Sequence, residues 1–233
     1  MKEALRSRAA QAWAFRTRVE HEAALRFDRL AAAIPVFDPD SPVPALLRRA
    51  ADDERKHAAL CAELSAAYGR PAAEDAHDAA IAPASLGARA AALYELVAAC
   101  CISETESVAT LATLLAEPAE ARVEKVLREI ARDEVTHGRM GWAHLAREAA
   151  ISDVSFLSPW IPSMLSGTAE EGLFSPADPE LDAPELLRHG ILPHSRKSAV
   201  FAGTLEDVVF PGLERFGIDA GPGRAWLAAR RRG

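Results

Sequence analysis

The distribution of proline is the feature that most restricts the fold of this chain. Proline lacks a backbone N–H and breaks the interior of a helix. None of the fifteen prolines falls in four windows, which cover residues 1–34, 45–70, 84–117 and 119–158. These windows are rich in Ala, Leu, Glu and Arg, which favour helix, and no window alternates as a strand would. We therefore predict an all-α protein built on four long helices.

The connections between these windows indicate how the helices are arranged. A proline-rich turn at 35–44 separates the first two, a turn at 116–120 separates the last two, and residues 68–83 join the pairs. The joining segment can reach about 55 Å when extended, which is enough to run the length of a helical bundle. Residues 1–150 are therefore predicted to form a four-helix bundle with one long crossover.

The character of the chain changes after the fourth window, because eight prolines crowd residues 159–222. We predict that residues 151–233 form a proline-rich helical extension that packs on the bundle. Short helices are expected in it at 183–189, 195–210 and 222–231.

Composition narrows the possible partners and compartment. The net charge is −7 with both signs interspersed, which argues against a nucleic-acid or anionic-membrane surface. No apolar run approaches the ~20 residues of a membrane span, and the first residues lack the apolar core of a secretion signal. Three cysteines without CxxC spacing favour a reducing cytoplasm over a disulfide scaffold. We expect Cys61, Cys100 and Cys101 to be small core residues.

Two short stretches of the chain are nearly alike. DDERKH at 52–57 and RDEVTH at 132–137 both contain Asp-Glu-x-x-His, and each lies within a predicted helix. The glutamate and the histidine are three residues apart, so that they share one helix face. The face holding Glu54 and the face holding Glu134 are otherwise largely apolar. Both motifs are therefore predicted to point inward.

Each motif also has a glutamate opposite it across a helical hairpin. Glu20 and Glu54 are equidistant from the first turn, and Glu104 and Glu134 are equidistant from the second. Antiparallel helices place such residues side by side. Four buried carboxylates cannot remain as bare anions, because desolvation and mutual repulsion would each cost several kcal/mol. Two divalent cations would neutralise them, so the sequence predicts a dinuclear metal site.

This repeated pattern of a glutamate followed by Glu-x-x-His resembles the ferritin-like di-iron carboxylate superfamily over residues ~5–150. The stretches VEHEAALRF and CCISETESVATL are similar to those of ferritin-like domain proteins. The resemblance implies that Glu54 and Glu134 bridge two metal ions. It implies six metal ligands in all: Glu20, Glu54, His57, Glu104, Glu134 and His137.

The donor types restrict the metal. Four carboxylates and two imidazoles are oxygen-rich and suit five or six ligands, which favours two iron ions, or manganese, over tetrahedral zinc. A ligating histidine needs an acceptor for its other ring nitrogen. We expect the aspartates of the two motifs to supply it, with Asp53 bonded to His137 and Asp133 bonded to His57.

Several functions remain compatible with such a site. We expect a non-heme di-iron oxygenase or oxidase that uses O2 and an external electron donor to oxidise a small organic molecule. A ferroxidase or iron-handling protein and a metal-stabilised module without catalysis are the alternatives. A rubrerythrin-type peroxidase is disfavoured, since the paired CxxC motifs of a rubredoxin module are absent. A homodimer is possible. Small residues beside the ligands, such as Gly138 and Gly141, either leave room for a substrate or only reflect an alanine-rich chain.

Overall fold

The structure is a computed structural model, and it describes residues 3–71, 76–170, 172–175 and 184–232. Within these ranges the chain forms helices, turns and loops, and no strand is present. The predicted all-α class is therefore confirmed.

All four proline-free windows are helical. Glu3–Ala33 forms α1, Val43–Ala67 forms α2, and Ala121–Ile151 forms α5. The third window divides into α3 (Ala88–Leu96), a π-helical segment (Val97–Ser103) and α4 (Glu104–Leu115). Proline marks the ends as expected: α1 runs into a 3-10 turn at Ile34–Val36 that contains Pro35, and α2 begins directly after Pro42.

The C-terminal part is helical in shorter pieces. It contains 3-10 turns at Ser155–Trp160 and Pro184–His189 and a second π-helical segment at Leu205–Val209. Its α-helices are α6 (Ile161–Thr168), α7 (His194–Thr204), α8 (Phe210–Glu214) and α9 (Gly221–Arg230). Three of the helical stretches were predicted, although residue 183 of the first lies outside the described residues. Helix α6 was not predicted, and Pro162 lies in its first turn, where proline is well tolerated.

The chain divides into two compact units, and each draws on several chain segments. The first unit comprises Met1–Glu95, Leu114–Asp133 and Pro184–Ile191, and the second comprises Leu96–Thr113, Glu134–Ala183 and Leu192–Gly233. The boundary that the sequence places at residue 150 stays a prediction.

In the first unit, α1 and α2 pack against each other along their lengths. The Pro184–His189 turn packs on them at one end. There the Trp13 indole N–H donates to the His189 carbonyl at 3.0 Å, and the Tyr68 hydroxyl lies 3.0 Å from His189 Nδ1. Gly190 has φ of +73°, and a Cβ there would lie 2.8 Å from the Trp13 ring. Glycine is therefore required both by the backbone conformation and by the close approach.

In the second unit, the C-terminal helices pack on the helices that carry the second motif. Helix α6 contacts the π-helical segment Val97–Ser103, and Ser103 Oγ lies 3.1 Å from Thr168 Oγ1 of α6. Gly212 of α8 lies directly against the Trp142 ring of α5, since a Cβ there would be 2.6 Å from it. The C-terminal segment thus packs on the π-helical segment that precedes Glu104 and on α5.

The stretch Ala88–Leu115 is long and apolar enough to cross a membrane by length and composition. It contains no continuous apolar run of about 20 residues, because Glu95, Glu104 and Glu106 interrupt it, so the prediction about apolar runs is not contradicted. Half of the most apolar part is buried inside the protein, and the helix carries the buried Glu95 and Glu104. The core helix of a soluble protein has the same properties, so this is weak evidence for a membrane span.

Candidate metal centre

In the first unit, Glu20 of α1 meets Glu54 and His57 of α2. We call these three residues the α1–α2 triad. One ligand atom from each lies within 4.8 Å of the others. His57 Nδ1 is 3.3 Å from Glu54 Oε2 and 4.0 Å from Glu20 Oε2. Glu54 and His57 are fully buried, and the Glu20 side chain is 13% exposed. The pairing across the first hairpin is therefore the one expected from the sequence.

In the second unit, Glu104 of α4 meets Glu134 and His137 of α5. These residues form the α4–α5 triad, and their ligand atoms also lie within 4.8 Å of one another. His137 Nδ1 is 3.3 Å from Glu134 Oε2. Glu104 is 7% exposed, and the other two side chains are 2% exposed. The second triad has the same donor types as the first and the same 3.3 Å separation between the histidine Nδ1 and the glutamate of its motif.

The donor set fits a divalent ion in each triad. Two ionised carboxylates carry two negative charges, which one divalent ion neutralises. In both triads it is Nδ1 of the histidine that lies among the carboxylates. Without a cation, burying these charges together would cost several kcal/mol. Each triad is thus a carboxylate and histidine cluster that could hold a metal, as required for a di-iron site.

The outer nitrogen of one histidine has an aspartate partner. Asp133 Oδ2 lies 3.3 Å from His57 Nε2. Burial would raise the pKa of Asp133, but hydrogen bonds from Arg132 and His57 outweigh it and lower the pKa. Asp133 therefore stays ionised and can accept the Nε2 proton, which leaves Nδ1 free of a proton and able to bind a metal.

The second expected aspartate contact stays a prediction. Asp53 Oδ1 pairs with Lys56 Nζ at 2.8 Å, one turn along α2. Its side chain is 16% exposed, so it is not a fully solvated acid. The proposed bond from Asp53 to His137 is not established by this pairing.

We expect the Asp133→Ala variant to bind metal about 10–100-fold more weakly than the parent chain, because the His57 imidazole loses the acceptor that fixes its tautomer and orientation. The matched control is Asp52→Ala, since Asp52 lies on α2 with a side chain 70% exposed and bonded to Arg55. Competition for Mn²⁺ against a chelator measures the affinities, and circular dichroism checks that both variants remain helical. Equal affinity of the two variants would contradict the role given to Asp133.

Other residues singled out in the sequence have structural roles. All three cysteines are buried and none forms a disulfide. Burial raises the pKa of the Cys101 thiol far above its ordinary value, so that thiol is unreactive. A Cβ on Gly141 would lie 2.2 Å from Cys100 Cβ. Gly141 therefore makes room for Cys100 and not for a substrate.

Sequence reasoning missed Ser107, whose hydroxyl lies 3.4 Å from Glu134 Oε1. Its position offered a signal, because it follows Glu104 by three residues and therefore shares the inward face of α4. A hydroxyl at this spacing can donate a hydrogen bond to a carboxylate on the facing helix.

Comparison with known proteins identifies the family to which a chain with these two triads belongs. No curated protein and no solved structure matches the chain significantly. A family model described as Rubrerythrin matches residues 17–144, a range that includes all six predicted ligands and more than half of the chain. The missing CxxC pairs therefore argue only against a rubredoxin module, and the inference drawn from them against rubrerythrin relatives is corrected. The chain belongs to the rubrerythrin family, within the ferritin-like di-iron carboxylate superfamily.

Proposed function

We propose that this protein is a non-heme di-iron oxidoreductase that uses O2 to oxidise a small organic molecule. Glu20, Glu54, His57, Glu104, Glu134 and His137 would hold two iron ions, or manganese, with Glu54 and Glu134 each binding both. The observation that carries the proposal is the presence of two matching triads, each with two carboxylates and one histidine, in a chain of this family.

The residues of the chain would have distinct tasks. Two ferrous ions held by these residues would supply the two electrons that O2 needs in its first reduction. The four carboxylates would neutralise the charge of the ions, and His57 and His137 would each offer Nδ1 as a ligand. Asp133 holds the Nε2 proton of His57, so that the ring keeps one tautomer. The surrounding apolar side chains exclude water and thereby strengthen the electrostatic interactions at the site.

The burial of the six proposed ligands favours metal ions that stay bound over iron that is taken up and released at each turnover. Five of the six side chains are 7% exposed or less, and the sixth is 13% exposed. A ferroxidase must admit and release iron at every turnover, and so deep a site suits that task poorly. A deeply buried site is better suited to a retained cofactor that acts on a small substrate. Burial therefore favours an oxygenase or oxidase over iron storage.

The remaining features of the proposal concern partners and location. The reaction requires an external electron donor in addition to O2 and the organic substrate. We propose a cytoplasmic homodimer without a nucleic-acid or membrane partner. The net charge of −7 and the three cysteines without CxxC spacing support this assignment.

The proposal is tested by stoichiometry and O2 consumption together. Chain produced with iron should contain about two iron ions, should keep them through gel filtration, and should consume O2 after anaerobic reduction. Iron that accumulates far beyond two per chain in a large assembly would identify a storage protein. Two retained ions without any O2 consumption would identify a metal-stabilised module instead.

A further inference from the structure

We infer that Ser107 is a positioning residue that orients the carboxylate of Glu134 and makes the two metal positions unequal. The inference rests on the proposed dinuclear site, and it concerns residues of the second unit alone. Its central observation is the 3.4 Å contact between the Ser107 hydroxyl and Glu134 Oε1.

The two oxygens of Glu134 have different neighbours. Oε2 lies 3.3 Å from His137 Nδ1, on the side where the metal of the α4–α5 triad would bind. Oε1 accepts the hydrogen bond from Ser107, since an ionised carboxylate can only accept. Glu134 is 2% exposed, so water does not compete freely for these oxygens. The serine therefore fixes the rotation of the carboxylate and withdraws electron density from one oxygen.

The position of Ser107 on α4 explains why it reaches this carboxylate. Glu104 begins α4, and Ser107 follows it by one turn, so that both side chains are directed towards α5. Neighbouring hydroxyls hold the same stretch in place. Ser103 contacts Thr168 of α6 at 3.1 Å, and Thr105 accepts the Trp142 indole N–H at 3.3 Å. Ser107 differs from these two because its contact is with a member of the triad.

The corresponding position of the first half is not a serine. The residue three positions after Glu20 is Ala23, whose methyl group cannot donate a hydrogen bond. The two triads have the same residue types as proposed ligands, and this hydroxyl is one of the differences in their surroundings. An unequal pair of metals would have a functional use, because the ion with the weaker carboxylate donor is the one that exchanges a ligand more readily.

The test uses variants of the full chain loaded with ferrous iron without O2. Ser107→Ala removes the donor, Ser107→Thr keeps it, and Ser103→Ala removes a hydroxyl from the same helix that contacts no member of the triad. Chelator competition measures the iron affinity, and Mössbauer spectroscopy measures the difference in quadrupole splitting between the two ferrous positions. Thermal unfolding of the metal-free variants checks that the fold is unchanged.

We expect Ser107→Ala to weaken iron binding about 10–100-fold and to reduce the difference between the two quadrupole splittings. Ser107→Thr and Ser103→Ala should retain both properties of the parent chain. The inference is overturned if Ser107→Ala leaves affinity and spectra unchanged, or if Ser107→Thr behaves like Ser107→Ala. A parent chain that binds iron but consumes no O2 would refute the proposed function and leave this inference intact, whereas a parent chain that binds no iron would refute both.

Discussion

Changing Glu54 or Glu134 to alanine should remove most of both metal ions, and not only one of them. Each of these glutamates is proposed to bind both ions, so that its loss leaves two incomplete sites. Both are almost completely buried, at 0% and 2% exposure, so that water cannot easily replace the lost carboxylate. The controls are Glu63→Ala on α2 and Glu124→Ala on α5, whose side chains are 71% and 42% exposed.

The same two variants should change stability in opposite directions with and without metal. In the metal-free chain, removal of a buried carboxylate relieves repulsion and a desolvation penalty, so Glu54→Ala should unfold at an equal or higher temperature than the parent. With metal at about 1,000 times its dissociation constant, the parent gains about 4 kcal/mol of unfolding free energy. The variant should gain little of this, because it binds neither ion well.

Elemental analysis and thermal unfolding with and without Fe²⁺ measure these effects under anaerobic conditions. Full metal content in both Glu54→Ala and Glu134→Ala would refute the ligand assignment. Loss of one ion only would show that the glutamate is a terminal ligand and not a bridge. A metal-free variant that is much less stable than the parent would show that the carboxylate is stabilising without a cation.

The main helices and the pairing of the glutamates could be predicted because both follow from local rules. Proline cannot lie inside a helix, so its absence from four windows located the long helices to within a few residues. A helical hairpin aligns residues equidistant from its turn. This alone placed Glu20 beside Glu54 and Glu104 beside Glu134. The aspartate before each motif pointed to Asp133 as the partner of His57.

Other features depend on tertiary packing and have no local signal. The π-helical segment Val97–Ser103 inserts one residue into a helical turn, and its sequence is an ordinary apolar run. Which histidine nitrogen faces the carboxylates depends on side-chain rotation, and sequence spacing does not determine that rotation. His189 is buried against Tyr68 and Trp13, which are more than a hundred residues away in the sequence. The residues next to His189 in the sequence give no sign of these contacts.

The second large effect is expected for Gly141→Ala, which should destabilise the chain and disturb the α4–α5 triad. A Cβ at Gly141 would lie 2.2 Å from Cys100 Cβ and 3.1 Å from the Cys100 carbonyl carbon. Cys100 is fully buried in the π-helical segment that leads directly into Glu104. The clash therefore involves backbone as well as side chain, and relief requires α5 or the segment that carries Glu104 to move.

Gly138→Ala is the matched control, because it lies one turn earlier on the same helix. Its added Cβ would meet its nearest neighbours at 3.8 and 3.9 Å, which is ordinary van der Waals contact. Alanine is favoured over glycine inside a helix by about 1 kcal/mol, so Gly138→Ala should be neutral or stabilising. At Gly141, overpacking should cost about 1–3 kcal/mol or more of unfolding free energy. This cost outweighs the gain in helix propensity, which alanine would bring at this position too.

Chemical denaturation of the metal-free variants measures the stability difference, and elemental analysis measures retained iron. We expect Gly141→Ala to have the lower unfolding free energy and the lower iron content of the two. The double variant Cys100→Ala/Gly141→Ala should not recover, because alanine retains the Cβ that clashes, whereas Cys100→Gly should restore part of the loss. Recovery by Cys100→Ala would show that the thiol, and not the close approach of the two backbones, makes glycine necessary at position 141.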